Sequence, residues 1–261
     1  MTNARSEVVV ATTTMYRSAM ETRAQLALVT LEKLSALGYR VVVVDGGSPE
    51  EWLEQVWRID GVTILEESPD PRTGKPSMGA GRRQAMLYAS QRIGCKAVAW
   101  MEPEKLSFAD LLAQAATPVL QGQADLVVPR RTSLASYPIE QQHAEIMGNS
   151  AVAGLLGAEF DFWFGPRVWS LKALPHMLNY NGEFGDKWDS LMVPVIFTMA
   201  DGLRVMSVDV DYIHPAAQTA EEQGSPEMTL KRAEQLYTII QALIAIVDRL
   251  HARGLYEGLG G

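Results

Sequence analysis

The first 131 residues repeat one pattern: a short branched-apolar run, a polar or glycine turn, then a stretch with helical punctuation. Apolar runs at 7–11 (EVVVA), 39–44 (YRVVVV), 61–65 (GVTIL), 96–101 (KAVAWM) and 124–129 (ADLVVP) lack alternation. Strands buried on both faces read this way. Between them, a helix is expected over 19–37, with Ser18 as N-cap, Glu21 three residues on and Gly38 closing it. Ser48-Pro49 opens a second helix, and 77–93 and 108–120 read as two more. Thr12-Thr13-Thr14 reads as a polar turn after the first strand. Strand and helix alternate, which predicts an α/β fold: a mostly parallel sheet flanked by helices on both faces.

After Arg131 the rhythm changes. An aromatic cluster at 160–164 and glycine-rich loops lead to an expected helix over about 188–200 and a strand over 204–212. A long amphipathic helix over about 229–253 precedes a glycine-rich tail. No linker separates the halves, so residues 132–261 are expected to pack on 1–131 as one compact domain and shape the far side of a shared cleft. The C-terminal helix suits a homodimer interface as readily as the chain's own core.

Charge and composition exclude some partners. With 31 acidic against 23 basic residues the formal net charge is −8, which argues against nucleic acid. Cys95 is the only cysteine, so there is no internal disulfide and no cysteine-rich metal site. The polar N-terminus lacks a signal-peptide pattern, and the apolar stretch at 239–247 is broken by Gln241 and too short to span a bilayer. A cytoplasmic protein is expected.

Chemistry concentrates at strand ends, where open α/β sheets bind ligands. Glu102-Pro103-Glu104 closes the fourth strand, and two carboxylates there suit a divalent cation bridging to a nucleotide diphosphate. The same residues also read as a helix start. Asp45, in VVVVDGGS, suits a nucleobase imide or ribose, or a turn, and Gly46 gives close approach or simply makes that turn. Lys75, just before a helix, suits a diphosphate or is a solvated loop lysine. Arg82 and Arg83 read as surface charges. Asp189 could position an acceptor hydroxyl, act as a base, or only start a helix. His214 reads as a structural histidine, although as a third ligand it would complete a Mn²⁺ or Mg²⁺ site. Trp163, Trp169 and Trp188 suit sugar stacking or core.

Taken in order, VVVATTT, VVVVDGGS, PRTGKPSMGAG, VAWMEPEK, DKWDSLM and DYIHP resemble the GT-A glycosyltransferases, in particular the retaining glucosyl-3-phosphoglycerate and mannosylglycerate synthases. The resemblance spans residues 7 to about 216. It implies a GT-A (Rossmann-like) fold and a metal-dependent, retaining transfer of a hexose from a UDP- or GDP-linked donor to a small polar acceptor. Thr12 and Thr13 would line the nucleoside pocket, Asp45 and Gly46 would contact the base, and Lys75 the base or diphosphate. Glu102 would reach the ribose and donor sugar, Glu104 and His214 would bind the metal, and Asp189 would sit beside sugar and acceptor. The chain departs from the pattern in having E-P-E for D-x-D. It also has Ser150 and Val152 where phosphoglycerate-using members have Arg and Thr, which points to a non-phosphorylated acceptor. Two other readings stay open. A sugar-phosphate nucleotidyltransferase would carry a glycine-rich loop where Thr12-Thr13-Thr14 stands, and a non-catalytic sugar-nucleotide binder would account for E-P-E.

Overall fold

The computed structural model describes residues 4–255; the first residues of the polar N-terminus and the glycine-rich tail lie outside them. Strands β1 (Val8–Thr14), β2 (Arg40–Asp45), β3 (Val62–Glu66), β4 (Ala97–Trp100), β5 (Leu126–Arg131), β6 (Arg167–Ser170) and β7 (Val205–Val210) form one sheet in the order β3-β2-β1-β4-β6-β5-β7. Every pairing is parallel except those of β6, which runs antiparallel to both β4 and β5. The expected α/β fold with a mostly parallel sheet is what the chain adopts. Two strands from beyond residue 131 enter that same sheet.

The unalternated apolar runs are explained by burial on both faces. Val9, Ala11, Val42, Val44, Val98 and Trp100 point to one side, against α3 (Met78–Ser90), α7 (Asp189–Ala200) and α9 (Pro226–Ala252). Their neighbours Val8, Val10, Val41, Val43, Ala97 and Ala99 point to the other, against α1 (Thr22–Ala36), α2 (Glu50–Val56) and α4 (Phe108–Leu120). This is the two-residue period of a strand with two apolar neighbours.

Several local expectations need correction. Thr12-Thr13-Thr14 is not a turn: β1 continues through it, pairing Thr12 with Val43 and Thr14 with Asp45. The first helix begins at Thr22, not at Ala19, because Glu21 Oε1 accepts from the Arg17 and Ser18 N–H groups and holds the preceding loop. Ser77, in contrast, caps α3 by accepting from Ala80 N–H. The helix α5 (Ile139–Leu156) and the strand β6 went unread, as did the short helices α6 (Leu174–Leu178) and α8 (Ala216–Glu222). No described helix is long and apolar enough to cross a membrane.

Candidate functional site

The C-terminal ends of β1, β2 and β4 open into a crevice with two joined compartments. The first, about 460 Å³, is walled by Thr13 and Thr14 of β1, Gly46 after β2, Trp100 of β4, and Glu67. The second, about 230 Å³, lies toward the later half of the chain, between Tyr137, Trp163, Trp188, His214 and the α9 side chains Lys231 and Arg232. Both compartments share Arg23, Met78, Arg82, Glu102 and Glu104. The acidic pair therefore stands at the seam.

Each glutamate of the pair faces a cation. Burial alone would raise the Glu102 carboxyl, but the charges of Lys105, Arg82 and Arg167 outweigh it and hold the group below its ordinary range. Lys105 Nζ lies 3.9 Å from Glu102 Oε2, over the rings of Phe164 and Tyr212. That Glu102 oxygen has no hydrogen-bond partner. Gly165 sits so close that a side chain there would overlap the Glu102 carboxylate. Buried Arg167, which donates to the Phe164, Pro166 and Phe162 carbonyls, fixes this loop. Glu104, 5% exposed, is met by Arg23 Nη2 at 2.7 Å and by the Tyr16 hydroxyl at 3.4 Å.

His214, just past β7, reaches the second compartment and stacks on Tyr137 at 4.2 Å between ring centroids. Neither ring nitrogen has a hydrogen-bond partner. Burial first, then the positive charges of Lys105, Arg232 and Arg131, push its pKa down to about 3, so the imidazole is neutral. A neutral buried imidazole with idle nitrogens is in the form that ligates metal. The three-ligand convergence of Glu102, Glu104 and His214 does not form, however: among the described residues no three His, Cys, Asp or Glu side chains stand together as a metal-binding group. Glu104 is drawn to Arg23 and Glu102 faces Lys105.

No protein-family model matches the sequence, and no curated protein matches it. Solved structures do. Glucosyl-3-phosphoglycerate synthase from Mycobacterium tuberculosis, in complex with Mn²⁺, UDP and glucosyl-3-phosphoglycerate, aligns over 94% of this chain and 81% of its own, with a TM-score of 0.66 at 14% identity. The same enzyme with Mn²⁺, UDP-glucose and phosphoglyceric acid gives 0.66 at 15% identity over the same shares. A mycobacterial protein gives 0.68 at 13% identity, over 94% of this chain and 76% of its own. The chain has the GT-A fold.

Within this GT-A crevice the other expected residues fall differently. Thr13 and Gly46 line the first compartment, while Thr12 is buried behind it with an unpartnered hydroxyl. Asp45 is turned away: its carboxylate accepts from the Thr14 and Ser48 hydroxyls and from the Gly47 and Ser48 N–H groups, which fills its lone pairs and braces the turn. Lys75 is exposed in the loop before α3 and lines neither compartment, whereas Pro76, Ser77 and Met78 do line the first. Asp189 is fully buried at the start of α7, accepting from the Tyr180 hydroxyl at 2.6 Å and the Lys187 N–H at 2.8 Å. Its place in the crevice wall is taken by its neighbour Trp188. Trp169 is core, and Trp163 lines the second compartment.

The sequence reading missed the crevice's own cations. Arg82 and Arg83, expected at the surface, are 6% and 9% exposed. Arg83 pairs with Asp70 and Asp186. Arg82 donates to the Lys187 carbonyl and Ser190 hydroxyl, lies over Trp100, and is pushed by burial down to about 10. Its spacing with Met78 and Met86, four residues each way, was the available signal, since those three fall on one helical face. Lys231 lines the second compartment, and burial together with Arg23 and Arg232 depresses its pKa.

Proposed function

We infer that this chain is a glycosyltransferase that moves a hexose, with retention, from a UDP- or GDP-linked donor to a small polar acceptor. The observation that carries this reading is the seam: in a GT-A fold, a glutamate pair, Glu104 buried and Glu102 part-exposed, and a histidine with both nitrogens idle border one crevice of two compartments. The compartment at the ends of β1 and β2 suits the nucleotide, and the one against α9 suits the acceptor. M. tuberculosis glucosyl-3-phosphoglycerate synthase, which shares the fold, is known with Mn²⁺ and UDP-glucose.

The donor set fits a divalent cation, Mn²⁺ or Mg²⁺, that arrives with a diphosphate. Such ions take one or two protein ligands and complete their shell with phosphate and water, so a preformed cluster of three is not required. Glu104 and His214 are the residues that would hold it. When bound, the cation offsets the charge that develops on the leaving diphosphate.

The chain's own residues supply the rest. Arg82, Lys105, Lys231 and Arg232 surround the seam with fixed positive charge, which is stronger in a buried site than in water. The carboxylates bordering the second compartment are engaged: Glu102 with Lys105, Glu104 with Arg23, Glu145 with Arg131 and Glu222 with Arg232. With Asp189 held by Tyr180 and Lys187, this supports front-face attack in which the acceptor hydroxyl attacks the anomeric carbon, the C1–O bond to diphosphate breaks, and the proton passes to that departing oxygen.

The test is a thermal-shift and calorimetric screen of UDP and GDP with and without Mn²⁺. A gain in stability is expected only when both are present, about 2.7 kcal/mol at a hundredfold excess over Kd. Glu104→Ala and His214→Ala should each abolish the Mn²⁺-dependent part while the protein still melts cooperatively. Unchanged affinity in both variants refutes the metal assignment. Nucleotide binding without donor turnover over long incubation would instead make the chain a non-catalytic binder.

A further inference from the structure

Glu104, a ligand for the cation on the reading just given, already carries a cation of the chain's own. Arg23 Nη2 stands 2.7 Å from Glu104 Oε1. The two ends of this pair are unlike: Glu104 is buried on the loop after β4, while the Arg23 side chain on α1 is 48% exposed. Glu104 is the ion-pair partner of Arg23, and no hydrogen bond to any other group anchors the guanidinium among the described residues. Arg23 is thus a long stem tethered at one point, bordering both compartments.

The surrounding charge makes that tether conditional. A metal ion approaching Glu104 meets a like charge already seated on the carboxylate, and like charges at such distances repel strongly in a buried crevice. Lys231 adds to the repulsion, since Arg23 already helps depress its pKa. A diphosphate alters the balance because its oxygens offer Arg23 a second anion within the same crevice. Arginine also binds phosphate oxygens through two parallel N–H groups.

We propose that Arg23 masks Glu104 in the free protein and transfers to the diphosphate when nucleotide and metal load together. It is a positioning residue that makes the two bind as a unit, and the proposal rests on the metal–diphosphate reading of this crevice. Metal alone must strip Arg23 of its ion-pair partner Glu104; metal with nucleotide gives it a replacement. The coupling is reciprocal by linkage, so each ligand tightens the other by the same factor.

The experiment is calorimetry of Mn²⁺ alone, UDP or GDP alone, and each nucleotide in saturating Mn²⁺, with unbound Mn²⁺ followed by its electron paramagnetic resonance signal. Wild type, Arg23→Gln and Arg23→Lys are compared, and far-ultraviolet dichroism confirms that each is folded. Arg23→Gln should bind Mn²⁺ alone up to roughly fivefold more tightly, the factor a half-exposed ion pair supplies. It should also bind nucleotide in Mn²⁺ on the order of tenfold more weakly, having lost a charged phosphate contact. Arg23→Lys, which keeps the charge, should keep the weak metal binding. If wild type binds nucleotide in a Mn²⁺-dependent way but Arg23→Gln does not differ from it, this proposal alone falls. If wild type shows no such binding, the proposed function falls with it.

Discussion

Asp45 shows how one side chain can be placed by a site without facing it. Both oxygens are bound from inside the turn, by Thr14 and Ser48 hydroxyls and by the Gly47 and Ser48 N–H groups. Thr14 and Gly46, on either side of that carboxylate, are among the residues that line the first compartment. Asp45→Ala is expected to cost about 1–3 kcal/mol in urea denaturation, because several buried donors lose their acceptor together. Nucleotide affinity should fall as a consequence of the loosened wall. A variant that keeps its stability yet loses affinity would show instead that the carboxylate contacts the ligand directly. Sequence could place Asp45 at the end of β2 but could not choose between these roles, because the partner hydroxyl of Thr14 comes from another strand. The Arg23–Glu104 and Tyr16–Glu104 contacts were hidden for the same reason: they join α1 and the loop before it to the end of β4. The acidic pair itself was legible, since it directly follows an unbroken apolar run.

At the scale of elements, legibility followed burial pattern. Strands β1, β2 and β4 are covered on both faces, and their continuous Val and Ala runs announce it. Helix α5 has no single apolar stripe because it answers to several neighbours: Val152 and Leu156 enter the core, Gln141 and Glu145 face the crevice, and Ile146 and Met147 are exposed. Strand β6 has only four residues, so no alternation can establish itself. Yet β6 separates β4 from β5 and carries the loop that seats Glu102. Two glycines separate packing from site. A methyl group at Gly165 would overlap the Glu102 carboxylate, and one at Gly148 of α5 would overlap the Trp163 ring. Gly165→Ala and Gly148→Ala should both destabilise by about 1–3 kcal/mol, the usual cost of overpacking. Only Gly165→Ala should weaken Mn²⁺-dependent nucleotide binding, by about tenfold or more, because it moves a carboxylate at the seam. Calorimetry that found equal affinity in both variants would remove Glu102 from the nucleotide site.

Across the whole molecule, one buried charge network ties the sheet to the crevice. Arg131, at the end of β5, donates to Asp161 through Nε and Nη2 and pairs with Glu145 of α5 at 2.6 Å. Glu145 accepts from Gln141, and Gln141 accepts in turn from Arg232 of α9. Asn149 joins Asp161 to the chain by donating to its carboxylate and accepting from Phe162 N–H. Strand β5, helices α5 and α9 and the 159–164 loop are therefore held in one register by buried and half-buried polar groups. Burial would raise the Asp161 carboxyl, but the Arg131 charge and the hydrogen bonds from Arg131 and Asn149 outweigh it and hold the group below its ordinary range. The sign follows from linkage. A carboxyl whose pKa is lower folded than unfolded stabilises the fold fully above the unfolded value near 3.9, and that contribution drains away as pH falls through the folded one. Asp161→Asn keeps the volume but leaves Arg131 with a single carboxylate, and breaking one arm of a buried ion pair costs about 3–5 kcal/mol. In urea denaturation at neutral pH the variant should fall short of wild type by about that much. Between about pH 5 and pH 3 the wild type should lose stability more steeply, so that the gap narrows with acid because only the wild type has this carboxylate left to protonate. Two curves that stay parallel over that interval would show that folding does not lower the Asp161 pKa, and so that Arg131 does not favour its ionised form.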